Sequence, residues 1–317
     1  MEEPIRVGIS ACLLGRAVRY DGGHKRDPYL VETLGRFFTW VPVCPEVELG
    51  LGTPRPTIRI EWTGVDHALV EPKSRTDLSS RMNRYAKQKV KSLRPLELSG
   101  FVLKKNSPSC GMERVRVYRE DGGLYDKRGK GFFARALCEA FPHLPIEEEG
   151  RLHDPALRDN WITRVFAYHR LQGLFRNRWS IGDLVRFHTA HKLLLMAHSP
   201  AHYRSLGKLV AEAKRVPRRT LRETYTDGFM SALRRRATTA KNVNVLQHIL
   251  GYFKRNLPAD VRAELHGLVE DYRAGVIPLV VPITLIAHYA KRLEIDYLLD
   301  QVYLQPHPKE LGLRSSV

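Results

Sequence analysis

The sequence predicts an α/β domain built on a mostly parallel sheet, followed by an all-α domain. Three observations carry this. Short runs rich in β-branched and aromatic residues alternate with helical stretches up to about residue 148, the pattern of strand–helix–strand units. From residue 181 onward every apolar pattern has helical spacing. The excess of basic residues is concentrated in that second part. A length of 317 residues suits two domains of the usual ~150 residues. A hydrophobic fraction of 43% supplies a core and excludes a wholly disordered chain. The expected boundaries are 1–148 for the α/β domain, 149–180 for a helical connector and 181–317 for the basic helical domain.

Residues 5–9 read as a buried strand entering the turn-rich loop Ser10-Ala11-Cys12-Leu13-Leu14-Gly15. Residues 38–44 are β-branched and aromatic, then break at Cys44-Pro45-Glu46. Residues 67–70 form a third short apolar run. Residues 76–93 read as a helix, with Asp77 as N-cap and Leu78, Met82, Tyr85, Lys89 and Leu93 along one stripe. Residues 100–103 are a strand ending in Lys104-Lys105-Asn106-Ser107-Pro108-Ser109-Cys110-Gly111, and 115–118 are another. Residues 131–141 return to helical spacing and carry Cys138 beside Leu137 and Phe141, the setting of a small core residue. Glu147-Glu148-Glu149-Gly150 reads as polar punctuation. Helices then follow over 155–175, 181–196 (capped by Ser180 or Asp183), 200–214, 220–236, 240–256, 259–275 and 282–299.

Lys and Arg number 52 against 34 Asp and Glu, for a net charge of +18. Residues 186–255 hold 15 Lys and Arg and 3 acidic residues, a local +12. A field concentrated in this way suits a polyanion such as nucleic acid rather than general solubility. The strongest patches are Lys214-Arg215-Val216-Pro217-Arg218-Arg219 and Arg234-Arg235-Arg236, with Lys192, Arg204 and Lys208 upstream. The longest apolar run, residues 276–287, has 12 residues and two internal prolines, short of the ~20 a spanning helix needs. Met1-Glu2-Glu3-Pro4 lacks the basic and apolar regions of a secretory signal. The expectation is a cytoplasmic protein with no membrane partner.

In a reducing compartment the four cysteines are not expected to form structural disulfides. Cys12, Cys44 and Cys110 each follow a predicted strand. Loops after the carboxyl ends of parallel strands share one edge of the sheet, where ligands bind, so these three should converge. Convergence admits an iron–sulfur cluster with one open iron, a three-ligand zinc site, or unrelated buried thiols. The same loops carry Glu46, Asp21, Lys25, Ser107 and Ser109. A carboxylate there is a candidate general base, and serine hydroxyls both donate to and accept from a heterocycle.

Taken together, Ser10-Ala11-Cys12-Leu13-Leu14-Gly15, Val18-Arg19-Tyr20-Asp21-Gly22, Cys44-Pro45-Glu46 and Ser107-Pro108-Ser109-Cys110-Gly111 resemble the TudS-like thiouracil desulfidase family over about residues 4–145. Four motifs in the same order make this specific. The stretch Phe187-His188-Thr189-Ala190-His191-Lys192, His198-Ser199-Pro200-Ala201-His202-Tyr203 and Leu206-Gly207 resembles the YbgA-like helical domain. The two parts together are similar to the RudS-type proteins, which remove sulfur from 4-thiouridine in tRNA.

The resemblance implies a 4Fe–4S cluster on Cys12, Cys44 and Cys110. It implies an open iron for the thiocarbonyl sulfur, water adding at the ring carbon, and sulfur leaving as sulfide with no net redox change. It assigns the acid/base role to Glu46, with Glu48 as the alternative, and a catalytic position to Ser107. Ser10, Asp21, Lys25, Lys104 and Ser109 are the expected substrate contacts. The tRNA contacts are expected at Lys192, Arg204, Lys208, Lys214, Arg215, Arg218, Arg219, Arg234, Arg235 and Arg236. The target base must leave its stack, and Tyr20, Tyr203 or Tyr225 are candidates to receive it. His188 and His191, and His198 and His202, have the spacing of helix-borne zinc ligands, but helix packing or RNA contact is the expected reading. Two other functions remain open: desulfidation of free thiolated bases, and a non-catalytic iron–sulfur regulator that binds nucleic acid.

Overall fold

In a computed structural model, which describes residues 4–315, the chain divides into two units, Met1–His153 and Asp154–Val317. Met1, Glu2 and Glu3, on which the signal-peptide expectation partly rests, lie outside the described residues. Among the described residues the first unit holds strands β1 (Ile5–Ser10), β2 (Phe38–Val43), β3 (Arg59–Trp62), β4 (His67–Glu71), β5 (Thr76–Asp77), β6 (Gly100–Leu103), β7 (Val115–Tyr118), β8 (Leu124–Gly129) and β9 (Ile146–Glu148). Its helices are α1 (Pro45–Glu48), α2 (Ser79–Leu93) and α3 (Phe132–Ala140).

The strands form two sheets. β2, β1, β6 and β9 lie side by side in that order, and every pairing is parallel. Their apolar runs are continuous because both faces are covered: Val7, Ile9, Phe101, Val102 and Leu103 are fully buried. Gly8 is required at the centre, since a Cβ there would run into the ring of Phe101. The chain moves from β1 to β2 on one side and later to β6 on the other. The boundary between β1 and β6 is therefore a switch point, where the loops after the strands diverge and leave a crevice.

The second sheet, ordered β5-β4-β3-β7-β8, is antiparallel except where β3 meets β7. It packs Ile60, Leu69, Val115 and Val117 against Met82 of α2 and Phe132 of α3. The sequence pattern did not point to β3, β5, β8 or β9. Asp77 is not the cap of α2: it lies in β5 and accepts from the Ser79 amide at 2.7 Å. The buried stripe of α2 is Met82, Ala86, Val90 and Leu93, so Tyr85 and Lys89 flank it.

The acidic run also differs from its reading as punctuation. Glu147 and Glu148 belong to β9, and Glu147, Glu148 and Glu149 are all buried. Buried carboxylates persist when partnered, and each of these is. Glu147 receives Arg151 Nε at 2.7 Å, Glu148 receives the Met112 amide at 2.8 Å, and Glu149 pairs with Lys104 Nζ.

The second unit is helical: α4 (Pro155–Arg176), α5 (Ile181–His198), α6 (Pro200–Ala211), α7 (Arg218–Arg234), α8 (Thr239–Leu250), α9 (Ala259–Arg273), α10 (Val280–Arg292) and the short α11 (Asp296–Leu299). Residues 149–180, expected as a connector, divide between the units. Glu149 to His153 fall in the first, while α4 lies in the second and sends Ala167, Leu171 and Phe175 into its core. Both cap candidates of α5 act together. Ser180 Oγ accepts from the Asp183 amide at 3.0 Å and Asp183 Oδ2 accepts from the Ser180 amide at 2.6 Å, a capping box. No helix among the described residues is long and apolar enough to cross a membrane.

Candidate active site

The carboxyl ends of β1, β2 and β6 deliver the three cysteines to one cavity of about 380 Å³. Cys12 sits in a single tight turn after β1 that closes on Gly15 in the left-handed region, φ 87°. Cys44 ends β2 and precedes Pro45, the first residue of α1. Cys110 follows β6 through the loop of Ser107, Pro108 and Ser109. Gly111 lets that loop close, since a Cβ there would lie 2.8 Å from the Ser107 carbonyl. All three are free thiols, and Cys12 and Cys110 are buried. Cys138, on α3, does not line the cavity.

Burial pushes the Cys12 thiol up to about 11. It raises Cys44 and Cys110 too, against opposing hydrogen bonds from Ser10 and Ser109 to Cys110. Buried thiols of this kind favour their neutral form until a cation offsets the thiolate charge. Among the described residues no three His, Cys, Asp or Glu side chains gather closely enough to hold one metal ion. The three thiols line one cavity, and a cluster bound there would take one thiolate per iron.

Glu46 lines the same cavity and is held from both sides. Arg55 donates to Oε2 from Nε at 3.0 Å and from Nη2 at 2.6 Å, and Ser109 Oγ donates to Oε1 at 2.6 Å. Arg55 is itself fixed by the carbonyls of Val18 and Gly52, at 3.0 and 2.9 Å from Nη1. Ser107 Oγ lies 3.0 Å from Ser109 Oγ. Because the carboxylate can only accept, the proton of Ser109 goes to Glu46 and that of Ser107 goes to Ser109. The Ser107 oxygen also accepts from the Cys110 amide at 3.1 Å, tying the chain of hydroxyls to the cysteine loop.

Of the other expected contacts, Ser10, Lys25 and Lys104 line the cavity. Ser10 Oγ accepts from the Lys104 amide at 3.0 Å, and the Lys25 amide donates to the Cys12 carbonyl at 2.9 Å. Asp21 does not reach the cavity. It is exposed and closes its own turn by accepting from the Gly23 amide at 3.0 Å. Glu48 also lies elsewhere: it accepts from the Cys44 amide at 3.1 Å, from Tyr85 Oη at 2.9 Å and pairs with Lys89 at 2.8 Å. Arg55 and Glu149 were not singled out from the sequence. Glu149 binds the Lys105 amide at 2.8 Å as well as Lys104, and so fixes the start of the Ser107–Cys110 loop.

Tyr20 lines the cavity mouth and is exposed, with Arg19 over its ring at 5.3 Å. Tyr225 is fully buried and Tyr203 packs on the helical core, so neither presents a face to a base. The histidine pairs do not form metal sites among the described residues. His191 Nδ1 donates to the Phe187 carbonyl at 2.7 Å and His198 Nδ1 to the Arg235 carbonyl at 2.6 Å. His202 Nδ1 meets Ser199 Oγ at 2.8 Å.

In the second unit the basic residues expected to contact tRNA lie at or near the surface. Arg204, Lys208, Lys214, Arg215, Arg218, Arg219, Arg234, Arg235 and Arg236 are exposed, and Lys192 is half-buried. Arg218 packs over Trp179 at 4.2 Å, and Arg219 pairs with Glu223 at 2.9 Å.

Residues 7–149 match the family model described as 2-thiouracil desulfurase. A relative from Bacillus subtilis (strain 168), the uncharacterized protein YbbK, is 32% identical over 108 residues, 32% of this chain and 71% of its own length. The chain belongs to the 2-thiouracil desulfurase family. That membership makes it a desulfidase. Residues 192–308 match a family described as a protein of unknown function, DUF1722. The uncharacterized protein YbgA of Escherichia coli (strain K12) is 31% identical over 159 residues, 50% of this chain and 94% of its own length. The chain thus carries a YbgA-like domain in addition to the desulfurase domain. Among solved structures, one described as the 4Fe-4S-dependent thiouracil desulfidase TudS is 32% identical, covering 50% of this chain and 97% of its own, with a TM-score of 0.37.

Proposed function

We propose that the protein removes sulfur from 4-thiouridine in tRNA, using a 4Fe–4S cluster held by Cys12, Cys44 and Cys110. The observation that carries the chemistry is the Glu46 carboxylate, clamped by Arg55 and Ser109 on the wall of the cavity that the three thiols line. When bound, the cluster supplies a Lewis-acidic iron that polarises a thiocarbonyl.

The side chains supply the rest. Glu46 accepts a proton from water as its oxygen adds to the ring carbon, the role of a general base within reach of the nucleophile. Arg55 holds Oε2 and Ser109 holds Oε1, so the carboxylate is fixed on the cavity wall with its remaining lone pairs for water. Ser107 and Ser109 pass a hydrogen-bonded chain toward Oε1 and offer hydroxyls to the heteroatoms of the base. Lys25 brings positive charge to the cavity wall, while Glu149 balances the charge of Lys104. Addition of the oxygen opens the C=S π bond, and collapse to the carbonyl then breaks the C–S bond. The reaction consumes one water and releases one hydrogen sulfide, so no electron donor is needed.

The basic second unit supports the tRNA half of the reading. Phosphate contacts provide most of the affinity of proteins for nucleic acid, and a free base has no use for a net +12 over residues 186–255. A second reading is favoured by a different observation. The cavity lies wholly in the first unit, and about 380 Å³ is at the scale of a single small-molecule site, which suits a free thiolated base. Anaerobic reconstitution with iron and sulfide, followed by the near-UV absorbance of the thiobase, separates the two. Faster loss on 4-thiouridine tRNA than on free thiouracil supports the first reading. Loss on the free base alone overturns it in favour of the second.

A further inference from the structure

The second unit contains a cavity of about 490 Å³ that the desulfidase chemistry does not use. Its walls come from α5 and α6. Ile181, Val185, His188 and Lys192 follow helical spacing on α5. Gly207, Val210 and Lys214 repeat it along α6 and the turn beyond. Ile181, Val185 and Val210 make apolar walls, while the two lysines bring positive charge. Neither lysine is in an ion pair among the described residues.

His188 gives the cavity a directed polar group. It is 2% exposed, and its Nδ1 lies 3.1 Å from the hydroxyl of the fully buried Tyr225. That hydroxyl has no other partner among the described residues, so it donates to Nδ1 and the imidazole proton sits on Nε2. Burial holds the ring neutral, with its pKa brought down to about 4. Nε2 has no hydrogen-bond partner within the protein. A buried donor left in this state is destabilising, and an acceptor from outside would relieve it. Gly207 lies beside this nitrogen: a Cβ there would stand 3.9 Å from Nε2, an ordinary contact distance.

We propose that this cavity binds one nucleotide, with a base carbonyl accepting from His188 Nε2, the base ring on the apolar walls, and the phosphate held by Lys192 and Lys214. The proposal rests on the reading that the second unit holds RNA, and it deepens that reading by naming a seat for one unstacked nucleotide. The same chemistry would take a free mononucleotide.

The test uses the full chain with its cluster and titration calorimetry. The probes are uridine 5′-monophosphate, inorganic phosphate, an oligouridylate and unmodified tRNA. Uridine monophosphate should bind more tightly than phosphate. Lys192→Gln with Lys214→Gln, at partly or fully exposed positions that tolerate the change, should weaken it at least about tenfold. Gly207→Leu, which fills the seat, should abolish it. Competition by the oligouridylate identifies an RNA strand as the source, and its exclusion with the monophosphate still bound identifies a free nucleotide. Binding of tRNA without binding of the monophosphate, or monophosphate binding that the variants leave unchanged, overturns the site while leaving the RNA reading intact. Absence of both overturns the site and the RNA reading together.

Discussion

Arg55 and Glu46 form an ion pair with Nη2 2.6 Å from Oε2, and their side chains are only 3% and 14% exposed. The pair is bidentate, because Nε also donates to the same oxygen at 3.0 Å. Planar guanidinium fixes a carboxylate in a way that a lysine ammonium cannot. Glu46→Gln should keep iron content and lower kcat by roughly 10²–10⁴-fold, the usual worth of a positioned acid/base. Arg55→Lys should also keep iron and lower kcat by roughly 10²-fold through misplacement of the carboxylate. Iron per chain and single-turnover rates check both. Full turnover in Glu46→Gln would remove Glu46 from the mechanism.

The cysteines separate cleanly by position. Cys12→Ser, Cys44→Ser and Cys110→Ser should each lose most of the reconstituted iron and the visible absorbance of the cluster, because each removes a thiolate from the cavity wall. Cys138→Ser, on α3 away from that wall, should retain both. Stoichiometric iron in any of the first three variants contradicts the ligand set.

Glu149 is a structural test of the loop that carries Cys110. Its carboxylate pairs with Lys104 and accepts from the Lys105 amide, in a site where Glu149 is 9% and Lys104 16% exposed. Glu149→Ala leaves a largely buried ammonium unpaired and should cost about 3–5 kcal/mol, the range for breaking such a pair. Urea denaturation of the reconstituted protein measures it. A change below about 1 kcal/mol, the scale of an exposed pair, would show that the loop does not depend on it.

Three buried histidines set an acid limit on the second unit. Burial lowers His188 and His198 to about 4 and His191 to about 3. The unfolded chain titrates near 6.5 and so binds more protons than the folded one below that pH. Their contribution is complete above about pH 6.5 and is lost as the pH falls toward their folded values, at up to about 1.4 kcal/mol per pH unit for each histidine. Urea midpoints should drop steeply between pH 6.5 and 4.5. His198→Gln should flatten the slope; an unchanged slope would mean that this ring does not titrate in the window.

The parallel sheet and the convergence of the three cysteines were legible because continuous β-branched runs followed by Gly, Pro and Cys turns have few alternatives. The second sheet was not. Arg59–Trp62 carries charge at alternate positions, and Leu124–Gly129 is mostly exposed, so neither looks apolar enough to be a strand. Glu147, Glu148 and Glu149 misled for the converse reason: an acidic run suggests solvent, and nothing local announces that Arg151, the Met112 amide and Lys104 will meet it. Arg55 lies nine residues beyond Glu46, in a loop whose shape only the fold determines. The motifs located the thiols and the carboxylate, but the groups that hold them in place come from tertiary pairing.

Arg234, Arg235 and Arg236 are all exposed at the end of α7, so reversing their charge should leave the fold intact. If they contact tRNA phosphates, Arg234→Glu, Arg235→Glu and Arg236→Glu together should weaken tRNA binding. They should also make the dependence of log affinity on log salt shallower by about two to three, since each lost phosphate contact removes roughly 0.7–0.9 from the slope. Desulfidation of free thiouracil, which needs only the cavity of the first unit, should be unchanged. Filter binding across a salt series and parallel turnover assays read the two effects. An equal fall on both substrates would mean that the triple change acts through folding, and no change on either would move the RNA contact to another face of the helical unit.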